Sequence, residues 1–261
     1  MISHIALRPL LSVQNSLEVA TYIESLHAQG LLDIEKPGNK YQLMSSSKNG
    51  TVIFDLPILR DLCRRLESKA FLQSLLLPLI NQYLSTHYSE SKPKKGIVLL
   101  SPFDQRNSQD YFLPQSYSPT CSCSIRKEHD WTDTFRDLEY LELVPTIQLS
   151  LLEPGSFIVP HTDVRSKVAT IMVYLPRDEH QIGDQQLSTT FYFRPDHEEM
   201  LNMMKRSPTE EHRTMSTYFG HGSSYLFFRS DSSWHSVSIP QTSRAPRLSI
   251  NINFNLPPIR S

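Results

Sequence analysis

The 261-residue chain carries 26 basic and 27 acidic side chains, is 39% hydrophobic, and has a formal net charge of −1. That length and apolar content allow one large domain with a substantial core, and the charge balance leaves no global basic field for a nucleic-acid backbone and no acidic excess of the kind that keeps tails disordered. Glycine, at 8 residues, is too scarce for glycine-rich phosphate cradles, whereas 18 prolines place the burden of turn formation on Pro, Asn, Asp and Ser.

The first residues, Met1 to Val13, are mildly apolar but include His4, Arg8 and Pro9 and lack a small-residue cleavage pattern, so they do not read as a signal peptide. Residues 1–90 read as mainly helical. Leu17, Ala20, Ile23, Glu24 and His27 fall at helical spacing, with Gly30 as the expected stop. A second helix is expected after Asp55, with Pro57 in its first turn and Leu59, Leu62 and Leu66 on one face. A third, Phe71 to Tyr83, should kink or break near Pro78. The longest apolar run, Leu75–Ile80, is too short to span a bilayer. Three cysteines (Cys63, Cys121, Cys123) make no disulfide framework, and the Cys121/Cys123 pair has no second pair to complete a zinc site. A soluble, cytoplasmic protein without membrane or nucleic-acid partners is the expectation.

Ile97–Leu100 reads as a strand, and residues 101–136 mix polar residues with Phe103, Tyr111, Phe112, Tyr117 and Trp131 without a sustained period, the texture of a long loop that walls a binding site. From Val144 the pattern is that of strands: Ile147, Leu149 and Leu151 alternate with polar residues, and Val168–Leu175, Thr189–Phe193 and Ser224–Phe228 follow. The last run alternates strictly, with Leu248, Ile250, Ile252 and Phe254 on one face and Arg247, Ser249, Asn251 and Asn253 on the other. The fold class expected is α+β with a mainly β core, a sandwich or jelly roll supported by N-terminal helices. The chain reads as a single domain, 1–261, with a helical and loop-rich support and substrate wall over 1–143 and the β core over 144–261.

Ten histidines among 27 acidic residues should give about one His-x-acid by chance, and the sequence has two: His161-Thr162-Asp163 and His197-Glu198-Glu199. The first sits between two strong strand patterns, where alternate side chains can enter a barrel. The second opens a Met-rich segment and lacks a histidine four residues on, so it is no zincin motif. A third ligand can come from His235, after the run Tyr225-Leu226-Phe227-Phe228. Two imidazoles and a carboxylate occupy one face of an octahedral iron and leave three positions open, two for a bidentate 2-oxo acid and one for dioxygen. The far carboxylate of such an acid needs a fixed cation; Arg247, twelve residues beyond His235, supplies one from a strand, with Ser249 or Tyr174 to complete its hydrogen bonding.

In these segments, LLEPGSFIVPHTD (151–163), TIMVYLP (170–176), TTFYF (189–193), YLFFRSDSSWHSV (225–237) and RLSININF (247–254), the sequence resembles the Fe(II)/2-oxoglutarate-dependent oxygenases, particularly their prolyl-hydroxylase-like branch. The likeness covers roughly Val144–Leu256. It implies a double-stranded β-helix, a jelly roll with iron held by His161, Asp163 and His235, and a co-substrate carboxylate paired with Arg247 and helped by Tyr174 and Ser249. Arg244 is the competing cation. Where the family often has a glycine pair, Gln185-Gln186-Leu187-Ser188 stand here. An aspartate at 163, rather than Ala or Gly, implies hydroxylation rather than halogenation. The implied activity is a 2-oxoglutarate-dependent dioxygenase that hydroxylates an unactivated C–H of a small molecule or peptidyl residue, with Gln148, Arg165, Arg229 and Trp234 as candidate substrate contacts. The alternative from another class is a non-catalytic, cupin-like jelly roll that binds a metal or sugar; it has no need for Arg247 and Ser249.

Overall fold

The computed structural model describes residues 4–35, 40–87, 93–104, 139–164, 166–192, 213–230 and 233–257. The expected first helix is present as α1 (Val13–Ala28), capped by the Ser12 hydroxyl, which accepts from the Asn15 N–H. α2 (Pro57–Glu67) starts on its proline, where the missing N–H costs nothing. A short α3 (Lys69–Phe71) passes through a π-turn, Leu72–Leu76, into α4 (Leu77–His87). Pro78 therefore neither breaks nor ends this helix: the wider π-turn just before it absorbs the disturbed hydrogen bonding. Among the described residues, no helix is long and apolar enough to cross a membrane.

The N-terminal part also supplies strands that the periodicity did not announce: β1 (His4–Leu7), β2 (Asp33–Glu35) and β3 (Lys40–Met44), followed by the expected β4 (Gly96–Leu99). They are short, and β2 is exposed throughout, so no alternation marks them. Beyond them come β5 (Tyr140–Leu152), β6 (Phe157–His161), β7 (Lys167–Tyr174), β8 (Thr190–Tyr192), β9 (Arg213–Ser216), β10 (Ser224–Phe228), β11 (His235–Ser238) and β12 (Arg247–Asn255).

These strands form two sheets. The larger runs β1-β10-β7-β12-β5-β3-β2, with β4 parallel to β5; the smaller runs β6-β11-β8-β9. Two apolar faces follow from strand alternation. Leu248, Ile250, Ile252 and Phe254 of β12, with Ile171 and Val173 of β7 and Ile147, Leu149 and Leu151 of β5, join the helices' Ile23, Leu59, Leu62 and Leu76 in one core. Phe103, expected in a loop wall, is instead part of that core, 1% exposed and edge-on to Phe254 at 6.1 Å. The opposite faces of β5 and β7 contribute Leu152, Met172 and Tyr174, and β10 contributes Phe227, to a second core shared with Phe191 and Val237 of the small sheet. The chain crosses from large to small sheet at the β5–β6 turn, where Gly155 has φ +83°, a backbone state that a side chain would strain.

Candidate metal centre

His161 is the last residue of β6, and Asp163 lies just beyond the strand's end, so the motif sits at the edge of the small sheet. His235, the first residue of β11, is the direct antiparallel partner of His161. The two rings lie 4.3 Å apart, and the ligand atoms of His161, Asp163 and His235 all fall within 4.8 Å of one another. Both imidazoles are held alike. Nδ1 of His161 faces the Val159 carbonyl at 2.9 Å, and Nδ1 of His235 faces the Ser233 carbonyl at 3.0 Å. A ring nitrogen bonded to a carbonyl carries the proton, which leaves each Nε2 lone pair free for a metal.

The electrostatics keep these groups ready as ligands. Burial lowers the pKa of His235 to about 4, reinforced by the like charge of His161, and burial likewise lowers that of His161. Both rings are therefore neutral near pH 7. Burial alone would raise the Asp163 pKa, but facing positive charge on His235 and Lys167 outweighs it and leaves the carboxylate below its ordinary range. With His235 uncharged near neutrality, the persistent cation is the Lys167 ammonium, 2.7 Å from Asp163 Oδ1. Thr170 stands 3.5 Å from Oδ2 and donates to Asn253 at 3.0 Å, while Arg229 Nε donates to the Asp163 carbonyl at 3.2 Å. Sequence reasoning missed Lys167 and Thr170; the only trace was an acid followed by a base four residues on.

The three side chains open into a cavity of about 610 Å³, and residues of β3, β5, β7 and β12 form its far wall. Arg247 lines it and is 1% exposed, whereas Arg244 is exposed on the preceding turn. The Arg247 guanidinium donates to the Leu187 carbonyl at 2.7 Å and to Ser249 and Thr189 at 3.3 Å, and it has no acidic partner among the described residues. Burial lowers its pKa, from so high a starting value that it remains a cation. A buried, uncompensated charge is costly and calls for an anion.

The other expected contacts divide. Ser249 and Gln148 line the cavity, as do Asn251 and Asn253 on the Arg247 face. Tyr174 does not. Its hydroxyl donates to Thr189 at 2.7 Å and meets Thr217 at 2.5 Å, and its ring lies under Arg247, with the guanidinium carbon 5.1 Å from the ring centre. It supports the arginine through its π-face, and hydrogen bonding with the phenol also favours the guanidinium cation. Arg229 sits behind Asp163 rather than on the wall, and Trp234 is half-buried against Tyr192, also off the wall. Arg165, Cys121, Cys123, His197 and the loop aromatics from Tyr111 to Trp131 lie outside the described residues.

No protein-family model matches the sequence, and no curated protein matches it either. Solved structures do. A non-heme alpha-ketoglutarate-dependent carbocyclase, SnoK, from nogalamycin biosynthesis superposes with a TM-score of 0.50 at 9% identity, covering 97% of this chain and 79% of that one. The chain has a double-stranded β-helix fold. A prolyl-4-hydroxylase from Pseudomonas putida is also similar, with a TM-score of 0.46, 11% identity and coverage of 98% and 94%. So is a viral collagen prolyl hydroxylase from Paramecium Bursaria Chlorella virus-1, with a TM-score of 0.45, 13% identity and coverage of 98% and 97%. In this double-stranded β-helix the two sheets face each other across the cavity: the small sheet brings His161 and His235, and the large sheet brings Arg247.

Proposed function

We propose that the protein is an Fe(II)- and 2-oxoglutarate-dependent dioxygenase that hydroxylates an unactivated C–H of a small molecule or a peptidyl residue. The observation that carries this reading is the buried, acid-free Arg247 lining the same cavity as the His161–Asp163–His235 cluster. Two neutral imidazoles and one carboxylate suit a divalent first-row metal and leave one face of it open. A metal-binding or sugar-binding jelly roll without turnover has no use for a buried guanidinium on the opposite wall. A dicarboxylic 2-oxo acid has such a use, because one end chelates and the other end needs a cation.

Iron so held would supply the activation of dioxygen that is coupled to oxidative decarboxylation of 2-oxoglutarate to succinate and carbon dioxide. The chain's own residues do the rest. The Val159 and Ser233 carbonyls fix the ring tautomers, and Lys167, Thr170 and Arg229 fix Asp163. Arg247 and Ser249 would receive the C5 carboxylate, with Tyr174 and Leu187 holding the guanidinium in place. Phe227, Met172, Leu152 and Val237 keep the space between them partly apolar, which strengthens charge pairing there. A cytoplasmic setting accords with a buried free thiol at Cys63.

The test is addition of Fe(II) and 2-oxoglutarate to metal-free protein under argon. A visible charge-transfer band that requires both is the expected result. Its absence in protein shown to be folded would overturn the reading.

A further inference from the structure

The cavity is larger than its proposed co-substrate. Even at a whole water molecule's share of roughly 30 Å³ for each heavy atom, an upper bound for bonded atoms, a ten-atom diacid would fill no more than about 300 Å³, at most half of the approximately 610 Å³ present. Much of the cavity lining is apolar, Met44, Phe157, Ile158 and Val164 included, but its large-sheet wall carries carboxamides and hydroxyls that are unusual for the space between two sheets: Gln42 from β3, Thr146 and Gln148 from β5, and Asn251, Asn253 and Asn255 from β12. Strand register arrays them side by side. Asn251 stands directly opposite Gln148, and Asn253 opposite Thr146.

Part of this face satisfies itself. Gln148 bonds Gln42, Asn253 accepts from Thr170, and Asn255 donates to Val144 and Thr146. Asn251 is the exception. Its amide nitrogen reaches Ser150 at 3.4 Å, while its Oδ1 is buried with no hydrogen-bond partner among the described residues. Turning the amide over only exchanges which of the two atoms is left over, so in either orientation the carboxamide keeps hydrogen-bonding capacity that no described residue uses.

The charges add a second, independent indication. Among the described residues lining the cavity, Lys40, Lys167 and Arg247 are cationic and Glu35 and Asp163 are anionic, and an imidazole that gives its Nε2 lone pair to a metal adds no charge. The surplus is one positive charge. A divalent metal and a dianionic co-substrate cancel each other and leave that surplus in place. Glu35 already pairs with Lys40, and Asp163 would be shared between Lys167 and the metal. One ammonium therefore lacks a full counter-charge when the site is loaded.

We infer that the primary substrate is a small hydrogen-bonding acid, with a carboxylate for the Lys167 side of the cavity and amide or hydroxyl groups for the Asn251 face, rather than an apolar chain or ring. This rests on the oxygenase reading of the same site. The experiment is calorimetric titration of the full-length protein, loaded under argon with Fe(II) and 2-oxoglutarate, with four probes. N-acetyl-L-glutamine is polar and anionic, its primary amide is polar and neutral, octanoate is apolar and anionic, and cyclohexanol is apolar and neutral. N-acetyl-L-glutamine should bind at least 10-fold more tightly than the other three, and Asn251→Leu and Gln148→Leu should each weaken it at least 10-fold without changing octanoate binding. Octanoate or cyclohexanol binding as tightly as N-acetyl-L-glutamine overturns the inference, as does absence of binding by any probe. Equal affinity in the wild type and in whichever of the two variants folds, judged by circular dichroism, also overturns it. The visible band separates the two failures: with the band present and no preference among probes, this inference alone fails, whereas no band in folded protein removes the oxygenase reading beneath it.

Discussion

His235 and His161 are direct cross-strand partners on β11 and β6, with ring centres 4.3 Å apart and each Nδ1 bonded to the carbonyl two residues before it. That repeated arrangement fixes both tautomers from the backbone, so the pair is oriented without help from a metal. Loss of an outer-shell partner of a ligand typically costs 10–100-fold in metal affinity, and loss of the ligand itself should cost more. His161→Ala and His235→Ala are each expected to weaken Co(II) or Fe(II) binding by more than about 100-fold. Titration of metal-free protein under argon checks this. Binding as tight as in the wild type in either variant would show that the ligands are assigned wrongly.

Lys167 is the only cation paired with Asp163 among the described residues, at 2.7 Å, and the carboxylate is 8% exposed. Removing one partner of a buried pair leaves the other charge uncompensated, at up to about 3–5 kcal/mol. Lys167 is itself partly exposed, so about 1–3 kcal/mol is the reasonable range after screening. Lys167→Met should therefore lower the melting temperature of the metal-free protein, and Co(II) should restore most of the loss by supplying the missing positive charge. Thermal melts of both proteins, with and without Co(II), decide it. An equal deficit in the metal-bound state would mean that Lys167 acts through packing rather than through the Asp163 charge.

Arg247, Arg244 and Tyr174 make distinct predictions because the structure places them differently. A charge-assisted bond to a carboxylate contributes about 1.5–3 kcal/mol, which corresponds to a loss of roughly 10- to 150-fold in 2-oxoglutarate affinity for Arg247→Met. Arg244→Ala, on an exposed turn, should leave that affinity within 2-fold or so. Tyr174→Phe keeps the ring beneath the guanidinium and removes a hydroxyl already taken up by Thr189 and Thr217. It should destabilise the fold by about 1 kcal/mol while changing 2-oxoglutarate affinity only a few-fold. Anaerobic titration of 2-oxoglutarate into the iron-loaded variants distinguishes the three; a loss in Tyr174→Phe as large as in Arg247→Met would put the phenol oxygen back on the co-substrate.

The residues legible in the sequence were those whose strands alternate strongly. β12 sets Arg247, Ser249, Asn251 and Asn253 against Leu248, Ile250, Ile252 and Phe254, so their common face could be read directly. β11 was not legible as a strand, because His-Ser-Val-Ser is four residues long and mostly polar; His235 was found through its neighbours instead. Lys40, Gln42 and Thr170 could not be placed by any local pattern, since only the pairing of β3 with β5 and of β7 with β12 brings them to the cavity. Tyr174 and Arg229 show the limit of strand parity. Tyr174 does point between the sheets, but Thr189 and Thr217, distant in sequence, take its hydroxyl. Arg229 is drawn instead to the Asp163 carbonyl. Phe103 shows the same limit for aromatic loops, since its ring completes the core at Phe254.

The depressed histidine values predict the acid limb of stability. A histidine of ordinary pKa near 6.5 in the unfolded chain but about 4 when folded is protonated first in the unfolded state. The unfolded state therefore binds more protons between those values, and stability must fall as pH drops from about 6.5 towards 4. For His235 alone the full difference amounts to about 3 kcal/mol, and His161, shifted in the same direction, adds to it. Asp163 runs the other way: its lowered value preserves stability above the unfolded carboxylate pKa, and that contribution is lost only at more acid pH. The two effects thus occupy separate windows. Melting temperatures of the metal-free protein should decline steadily from pH 6.5 to 4.5, with a shallower slope in His235→Asn, and saturating Zn(II) should flatten the decline at its upper end by stabilising the neutral rings. A slope unchanged in His235→Asn would mean that other groups govern the acid limb and that the imidazole is not held neutral by burial.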